Sequence, residues 1–264
     1  MKRDNSMVSV VMPCYKAATT LERSIRGVLE QTHGVLELWL LIDGRDEPTE
    51  ELAKQWANKD GRVRLVISDK NRGVSRMRNI GMRLSVGGWI AFCDADDYWY
   101  PTKIEKQLAL LWQSGANLCC SGFNFYSPSN QVRLPVQTKQ HIHLAVLKQT
   151  NPIPLSTAVF HHSLRKDSYF PELPSPYIHE DYAFWLRMFQ LHSVTVVYQS
   201  ELTTDITKAE GTRSSNKWLA LRSHGYILKT VGGVRGMEWW VLMASYVWHG
   251  SLKRVLGKFL PKSS

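Results

Sequence analysis

Apolar residues in the first half of the chain occur in short runs that are rich in Val, Ile and Leu. Such runs are typical of strands buried on both faces, and five are predicted, over residues 8–12, 36–42, 63–67, 89–93 and 118–122. Between them, apolar residues recur every three or four positions, which predicts a helix after each of the first four runs. Strands joined by single helices indicate a mostly parallel central sheet with right-handed crossovers, and therefore an α/β fold.

Local signals mark the starts of two of these helices. Thr19 and Glu22 fit a capping box ahead of the first helix, and Pro48 stands where the first turn of the second helix would accept proline. The other two helices are predicted over residues 75–85 and 101–112.

The second half of the chain has a less regular pattern. Seven prolines between residues 128 and 176 interrupt it, which favours loops and short strands that face a substrate. Residues 180–191 then predict an amphipathic helix, and residues 194–198 predict a strand. From about residue 216 onward the chain is predicted to be helical to its end.

The composition is that of a globular protein, because 44% of the 264 residues are apolar and 21% are charged. The net charge is +10, and most of it belongs to the residues from Lys208 onward. We therefore expect a catalytic domain over residues 1–207, with a nucleotide-binding half (1–125) and an acceptor half (126–207), and a basic helical tail over residues 208–264. A basic tail beside a nearly neutral body favours contact with a polyanionic surface.

Cysteine usage and hydropathy bear on the location of the protein. Cys14, Cys93, Cys119 and Cys120 have no metal-binding spacing and are predicted to be buried thiols in a reducing cytoplasm. The sequence opens without the pattern of a signal peptide, and no window is long and apolar enough for a membrane-spanning helix. The expected location is the cytoplasm, including a peripheral position on the inner face of the cytoplasmic membrane.

Three carboxylates, Asp94, Asp96 and Asp97, follow the fourth predicted strand directly. They could cap the next helix, but that helix is predicted to begin several residues later. At the C-terminal edge of such a sheet, clustered carboxylates call for a cation, and oxygen ligands suit Mn²⁺ or Mg²⁺ with positions left for substrate phosphates. The segment therefore predicts a metal-dependent enzyme acting on a diphosphate compound, with Asp96 as the main metal ligand and Asp94 at a ribose or a metal-bound water.

Asp43 ends the second predicted strand, where Asp-Gly is also an ordinary turn signal. It would emerge on the same sheet edge as Asp94 and as Pro13 and Tyr15, which end the first strand. A carboxylate at that edge can accept the N3–H of uracil, so nucleotide contact is the alternative to a turn.

Three further residues are assigned to the predicted cleft. Arg78 and Asn79, on the third helix, are expected to line its nucleotide side, whereas the other arginines of that helix form a solvated face. Asp181 stands at the start of a helix, where the macrodipole favours acidic residues. Its alternative role is that of a catalytic base, which requires that it reach an acceptor hydroxyl.

The tail can form a broad apolar stripe accompanied by cations. The apolar members are Trp239, Trp240, Leu242, Met243, Tyr246, Val247, Leu252, Leu256 and Phe259, and the cations are Lys253, Arg254, Lys258 and Lys262. Such a helix suits an anionic membrane surface, and packing on the catalytic domain is the alternative.

In their order along the chain, these segments resemble family 2 glycosyltransferases with the GT-A fold, of the type that builds bacterial surface polysaccharides. The matching segments are residues 8–16, 41–44, 71–74 with 78–79, 92–97, and 180–181 with 185–187. Two positions depart from the family pattern: Ile42 stands where an acid is usual, and Lys16 stands where an asparagine is usual.

The resemblance implies a Rossmann-like GT-A fold and an inverting transfer of a sugar to a hydroxyl of a glycan or lipid-linked glycan acceptor, as in lipopolysaccharide synthesis. The implied donor is a nucleotide diphosphate sugar, with UDP as the favoured nucleotide. The residues that it assigns are Pro13, Tyr15 and Asp43 at the nucleotide base, Asp94 and Asp96 as the DxD pair at the ribose and the metal, and Asp181 as the catalytic base.

Three other interpretations stay open. One is a synthase of the same fold that charges a polyprenyl phosphate, and another is a catalytically silent scaffold protein. A nucleic-acid-binding protein is the third, but it would need basic residues and exposed aromatic rings around a groove, where this chain has carboxylates.

Overall fold

The computed structural model describes residues 4–137, 141–208 and 216–259, with side chains through residue 248. Its strands are β1 (Val8–Cys14), β2 (Leu36–Asp43), β3 (Val63–Ser68), β4 (Trp89–Phe92), β5 (Tyr98–Trp99), β6 (Leu118–Ser127), β7 (Val132–Val136), β8 (Val159–His161) and β9 (Val196–Thr207). Its helices are α1 (Leu21–Leu29), α2 (Glu47–Lys59), α3 (Val74–Leu84), α4 (Lys103–Ser114), α5 (Leu144–Gln149), α6 (Glu180–Leu191), α7 (Lys217–Thr230) and α8 (Gly236–Phe259).

These strands form one sheet in the order β3-β2-β1-β4-β8-β6-β9-β5, and β7 pairs with β6. The first four predicted strands pair in parallel, as expected from their helical connections, and β6 pairs with β9 in parallel. The short strand β8 joins β4 to β6 with antiparallel pairing on both sides. The α/β fold class is therefore confirmed, and a strand too short to show a pattern links the two parallel parts.

Alternate residues of the central strands face two separate hydrophobic cores, one on each side of the sheet. Val10 packs with α1, α2 and α4 on one side, whereas Val11 packs with α3, α6 and α7 on the other. This three-layer arrangement explains why the central strands are apolar without interruption. It also fixes α3 and α6 on the same side of the sheet.

Most predicted elements are present, with differences at their ends. α6 has the predicted limits, and Pro48 lies in the first turn of α2 as predicted. The capping box at Thr19 is wrong, because Thr20 precedes α1 and makes no side-chain capping hydrogen bond. β6 runs past Gly122, where the prediction ended it, since this glycine accommodates an irregularity in the pairing with β9.

The C-terminal helices pack on the α6 side of the sheet. Trp239, Leu242 and Met243 of α8 contact the core there, and the Trp239 indole N–H donates to the carbonyl of Gly225 at 2.9 Å. The predicted apolar stripe is thus divided, since Trp240 points away from the core and is exposed. Seven further residues of the predicted stripe and its accompanying cations lie outside the described side chains: Leu252, Lys253, Arg254, Leu256, Lys258, Phe259 and Lys262.

None of the helices in the described part of the chain combines the length and the apolar character that a bilayer crossing requires. All four cysteines are free and buried, as predicted. Burial raises the pKa of the Cys14 thiol to about 12, so this thiol is a packing group rather than a nucleophile.

Candidate active site

The carboxyl ends of β1, β2 and β4 lie side by side because these strands pair in parallel. A cavity of about 410 Å³ opens at this edge, and we call it the Tyr15 cavity. Its lining includes five of the predicted residues, namely Pro13, Tyr15, Arg78, Asp94 and Asp96. Chain segments far apart in sequence are thus brought to one hollow, as the sheet topology predicts.

The three clustered carboxylates have different surroundings. Asp97 is buried, and its two oxygens accept hydrogen bonds from the Ser156 hydroxyl at 2.5 Å and the Thr207 backbone N–H at 2.9 Å. Burial, together with the charges of Asp94 and Asp96, raises its pKa. Asp97 therefore ties the end of β4 to β9, and Asp94 and Asp96 are left to face the cavity.

The surroundings of Asp96 fit a divalent cation. Burial and the charge of the neighbouring Asp94 raise the pKa of Asp96 to about 6. This shift means that ionising the carboxylate is costly, and a bound cation would offset that cost. Among the residues that the structure describes, no group of three or more His, Cys, Asp or Glu side chains could hold a metal ion. Mn²⁺ and Mg²⁺ do not need such a cage, because one or two carboxylates suffice when substrate phosphates and water supply the other ligands.

Asp43 has a defined structural contact at the same sheet edge. Its carboxylate oxygens accept the backbone N–H groups of Arg72 at 2.6 Å and Gly73 at 2.9 Å, just before α3 begins. The residue is buried and does not line the Tyr15 cavity. Asp43 thus holds the loop that leads into α3, and its contact with a nucleotide base stays a prediction.

Arg78 is the central cation of the site. Its guanidinium is buried and donates to Asp94 Oδ1 and to Glu180 Oε1, each at 2.7 Å. Burial would lower the pKa of Arg78, but the two carboxylates outweigh it and raise the pKa above its ordinary value. For Glu180, burial would raise the pKa, but the Arg78 charge more than offsets this and the pKa is lowered. Both partners are therefore charged at neutral pH.

Asp181 lies in a second cavity, of about 690 Å³, which we call the Asp181 cavity. Asn151 donates its side-chain amide to Asp181 Oδ2 at 2.8 Å and so orients the carboxylate. Burial, and then the charge of Glu180, raises the pKa of Asp181. Arg78 and Asp94 line this cavity as well as the Tyr15 cavity, so they form a wall shared by the two.

Asn79 is not brought to either of these cavities. Its side-chain amide pairs with the backbone of Phe170, accepting from the N–H at 2.8 Å and donating to the carbonyl at 2.9 Å. One position along α3 rotates the side chain away from that of Arg78. The amide holds α3 against the loop before α6, and so it supports the position of Arg78.

Two functional side chains escaped the sequence analysis. The ion pair of Glu180 with Arg78 joins residues 102 positions apart, and acidic residues at a helix start have a sufficient local explanation. Asn151 stands in a proline-rich loop without periodicity, so nothing in the sequence pointed to Asp181 as its partner.

The two cavities can hold two substrates on either side of a charged wall. The Tyr15 cavity presents an acidic group suited to a cation, and the Asp181 cavity presents an oriented carboxylate of raised pKa. A cation together with Arg78 can stabilise negative charge that develops on a phosphate, and a carboxylate of raised pKa is a suitable proton acceptor.

Known proteins resemble this chain in sequence along most of its length. The family model described as Glycosyl transferase family 2 matches residues 9–173. An uncharacterized glycosyltransferase of Haemophilus influenzae is 29% identical over 251 residues, which cover 94% of this chain and 97% of that protein. The UDP-Glc:alpha-D-GlcNAc-diphosphoundecaprenol beta-1,3-glucosyltransferase WfgD of Escherichia coli is 25% identical over 226 residues, which cover 85% and 86%.

Solved structures share the fold at lower sequence identity. S. aureus TarS in complex with UDP-GlcNAc has a TM-score of 0.68 and 18% identity, and the match covers 97% of this chain and 76% of that one. The mannosyltransferase PcManGT of Pyrobaculum calidifontis, in complex with GDP-Man and Mn²⁺, has a TM-score of 0.63 and 14% identity, with 94% and 75% covered. These likenesses confirm the GT-A architecture, and one of the two proteins is seen with a divalent metal.

Proposed function

Because the chain belongs to glycosyl transferase family 2, it is a glycosyltransferase, and we propose that it moves a sugar from a UDP-sugar to a hydroxyl of a lipid-linked glycan in the synthesis of a bacterial surface polysaccharide. The complex of TarS with UDP-GlcNAc supports the choice of donor. The name of WfgD, which acts on a GlcNAc-diphosphoundecaprenol, supports the choice of acceptor.

The observation that carries the proposal is the wall of Arg78 and Asp94 between the two cavities. A transferase must hold a donor and an acceptor with their reacting atoms in contact, and two cavities with lining residues in common lie close enough together to support such an arrangement. Each cavity also has its own carboxylate: Asp96 faces the Tyr15 cavity and Asp181 faces the Asp181 cavity.

The Tyr15 cavity is proposed to bind the donor. Pro13 and Tyr15 would contact the nucleotide base, with Asp43 at the loop beside them, and Asp94 would lie at the ribose. Asp96, with Asp94, would hold Mn²⁺ or Mg²⁺. When bound, such an ion neutralises negative charge on the departing nucleotide diphosphate. Arg78 adds a fixed positive charge on the same side.

Asp181 is proposed to act as the catalytic base in the other cavity. It would take the proton of the acceptor hydroxyl while the hydroxyl oxygen forms a bond to the anomeric carbon. The bond from that carbon to the diphosphate oxygen breaks, and its electron pair leaves with the nucleotide diphosphate. A single displacement of this kind inverts the anomeric configuration. Asn151 keeps the carboxylate oriented for the transfer.

Nucleotide release from a set of donors tests the proposal. We expect full-length protein to release UDP from UDP-glucose or UDP-GlcNAc faster than it releases GDP from GDP-mannose. EDTA should stop the release, and added Mn²⁺ or Mg²⁺ should restore it. Release that is unaffected by EDTA would contradict the metal assignment, whereas no release from any of these donors would contradict the donor class.

The same proposal includes peripheral contact with an anionic membrane, where a lipid-linked acceptor is found. Trp218, Trp240 and Trp248 are 76%, 69% and 68% exposed, and Met237 on the same helix as Trp240 and Trp248 is also exposed. Exposed aromatic rings accompanied by cations are characteristic of surfaces that enter the lipid interface. The positive charge of residues 208–264 supports an anionic surface as the partner.

Vesicle binding tests this contact. Replacing Trp240 and Trp248 with Ser should reduce cosedimentation of full-length protein with vesicles of anionic phospholipid by about 10-fold, since each ring contributes buried apolar area. Trp112→Ser, which removes an exposed tryptophan from α4, is the matched control and should bind as the unaltered protein does. Equal binding of all three proteins would exclude these rings as the contact.

A further inference from the structure

Two arginine side chains, Arg23 and Arg133, meet on the face of β9 opposite to Ile206, which lines the Asp181 cavity. Asp205 is fully buried in β9, and its Oδ2 accepts from Arg23 Nη2 at 3.2 Å and from Arg133 Nε at 2.8 Å. Its Oδ1 accepts from the Tyr100 hydroxyl at 2.7 Å and from the Asn124 amide at 3.2 Å. One carboxylate thus fixes two guanidinium groups that come from α1 and β7.

Aromatic rings hold the same two guanidinium groups in place. The Arg23 guanidinium lies 4.7 Å from the centre of the Tyr126 ring and 4.9 Å from that of Tyr98. The Arg133 guanidinium lies 4.9 Å from the centre of the Tyr126 ring. A guanidinium that is already stacked and ion-paired loses less freedom when it binds a further group.

The two arginines are partly exposed to solvent and together carry more positive charge than Asp205 neutralises. The side chains of Arg23 and Arg133 are 37% and 49% exposed, although Asp205 is completely buried. Two guanidinium charges against one carboxylate leave one positive charge. Each guanidinium has five N–H groups, and the bonds to Asp205 use only one from each side chain.

The pair is also connected to the catalytic residues through β9. Thr207, two residues after Asp205, donates its backbone N–H to Asp97 and its hydroxyl to the carbonyl of Asp96. Arg23 follows Thr20, which lines the Tyr15 cavity, by three residues. The two arginines therefore stand next to the segment at which the sugar diphosphate is proposed to bind.

We propose that Arg23 and Arg133 together form a subsite for a diphosphate group of a substrate. Fixed guanidinium groups present pairs of N–H donors that match the oxygens of a phosphate, which a flexible ammonium group does not. The inference rests on the proposed function, which supplies two diphosphates: that of the nucleotide sugar and that of a lipid-linked acceptor. The pair lies near the Tyr15 cavity and on the opposite face of β9 from the Asp181 cavity lining. The same chemistry suits either diphosphate, and steady-state kinetics distinguishes the two sources.

Binding of inorganic pyrophosphate to full-length protein tests the subsite without turnover. The buffer contains EDTA, so that binding through a metal does not contribute, and affinity is measured by isothermal titration calorimetry. Arg23→Gln and Arg133→Gln should each weaken binding by about 10-fold or more, the usual effect of losing a charge-assisted hydrogen bond. Arg133→Lys keeps the charge without the paired donors and should recover part of the affinity.

Arg26→Gln is the matched control, because Arg26 is an exposed, ion-paired arginine on the same helix whose partners are Glu22 and Glu30. It should bind pyrophosphate as the unaltered protein does. Equal affinity of all the variants, or no binding of pyrophosphate to the unaltered protein, overturns the subsite.

Steady-state kinetics identifies the source of the diphosphate. The acceptors are two forms of one sugar, a diphospho-lipid and a neutral alkyl glycoside. If Arg23→Gln and Arg133→Gln raise KM for the diphospho-lipid alone, with donor KM and donor hydrolysis unchanged, the subsite belongs to the acceptor. If they raise donor KM with both acceptors, the subsite belongs to the donor.

Two other results would show a structural role of the arginines or a failure of the proposed function. Unchanged KM values together with a lower unfolding temperature show that the arginines are structural, and this overturns the subsite. If the unaltered protein turns over no donor at all, the proposed function fails, and pyrophosphate binding still decides whether the subsite exists.

Discussion

At the scale of single residues, two adjacent carboxylates have opposite properties because only one of them is paired with the buried Arg78 guanidinium. Glu180 is paired with Arg78, which lowers its pKa, whereas Asp181 is buried beside the negative charge of Glu180, which contributes to raising its pKa. The two environments therefore keep Glu180 ionised as the partner of Arg78 and leave Asp181 able to take up a proton. Neighbouring positions of one helix can therefore serve a structural and a catalytic purpose.

Asp181→Asn is predicted to abolish transfer while stabilising the fold. Loss of a general base reduces kcat by about 10³-fold, and donor KM should be unchanged because Asp181 does not line the Tyr15 cavity. The asparagine can still accept the hydrogen bond from Asn151. Sugar transfer and donor KM are the measurements, and transfer retained by the variant would remove Asp181 from the role of base.

The stability effect of this substitution has a definite sign. A carboxylate whose folded pKa is raised is destabilising once it ionises, so the fold loses stability as pH rises through the pKa of the unfolded chain, near 3.8. At neutral pH the Asn variant should unfold at an equal or higher temperature, and the difference should shrink toward pH 4. A lower unfolding temperature of the variant at neutral pH contradicts this expectation. By the same reasoning, transfer by the unaltered protein should fall on the acid side at a pH above 3.8.

At the scale of elements, the close approach of α3 to the sheet positions the charged wall. Gly81 faces Val11 of β1 and Leu41 of β2, and a Cβ there would lie 2.4 Å from Val11 Cγ1 and 2.7 Å from Leu41 Cδ1. Arg78 lies one turn earlier on the same helix. The absence of a side chain at Gly81 therefore sets the distance at which Arg78 meets Asp94.

Gly81→Ala should destabilise the protein by about 1–3 kcal/mol, because overpacking outweighs the better helix propensity of alanine, about 1 kcal/mol. It should also lower kcat by displacing Arg78. Gly61→Ala is the control, since a Cβ there meets nothing within 4 Å, and its effect should stay within about 0.5 kcal/mol. Denaturant unfolding measures both variants, and equal stability of the two would show that α3 can shift without strain.

The contact between α6, α7 and α8 contains a buried histidine. His224 stacks against Tyr182 and Tyr246, with ring centres 5.0 and 4.1 Å apart, and its Nε2 has no hydrogen-bond partner among the described residues. Burial, with the charge of His179, lowers the pKa of His224 to about 4. The imidazole is therefore neutral in the fold, and proton uptake opposes the packing of these helices.

This histidine should make stability depend on pH. The unfolded chain binds the proton better than the folded protein does. The contribution of neutral His224 to the free energy of unfolding is therefore fully present above the unfolded pKa of 6.5 and is lost as pH falls toward 4. The loss is about 2 kcal/mol at pH 5. His224→Phe should remove this part of the pH dependence, whereas His141→Gln, at an exposed position, should not. Unfolding free energies at pH 7 and pH 5 test the idea, and an identical pH dependence of His224→Phe and the unaltered protein would refute it.

The elements differ in how far the sequence foretells them. α6 has its predicted limits because it combines helical periodicity with a clear start after a proline-rich loop. β5 and β8 have two and three residues, too few to show a period, and their pairing with distant strands depends on the whole sheet. At the site, local motifs were enough to predict Asp94, Asp96 and Asp181, which line the cavities. The partners Glu180 and Asn151 depend on contacts that no local pattern records.

At the scale of the whole molecule, the C-terminal region has two faces with separate properties. Leu242 and Met243 pack on the core, whereas Trp248 on the same helix is exposed. The sequence offered packing and membrane contact as alternatives, because a helix rich in aromatic residues on all sides suits both. The structure divides these residues between an inner face that packs on the hydrophobic core and an outer face that is exposed.

Point substitutions on the two faces should therefore separate stability from membrane binding. Leu242→Ala removes a partly buried side chain from the core, and the predicted loss is about 1–2 kcal/mol, less than for a fully buried leucine. Trp248→Ser removes a larger side chain that is mostly in water already, so its effect on stability should stay within about 0.5 kcal/mol. Removing the whole helix would uncover the core and alter both properties at once, which is why single substitutions are the sharper test. Unfolding in urea, followed by vesicle cosedimentation of the folded variants, gives the two readouts. If Trp248→Ser proves the more destabilising of the two, its face is packed in solution and is not available to a membrane.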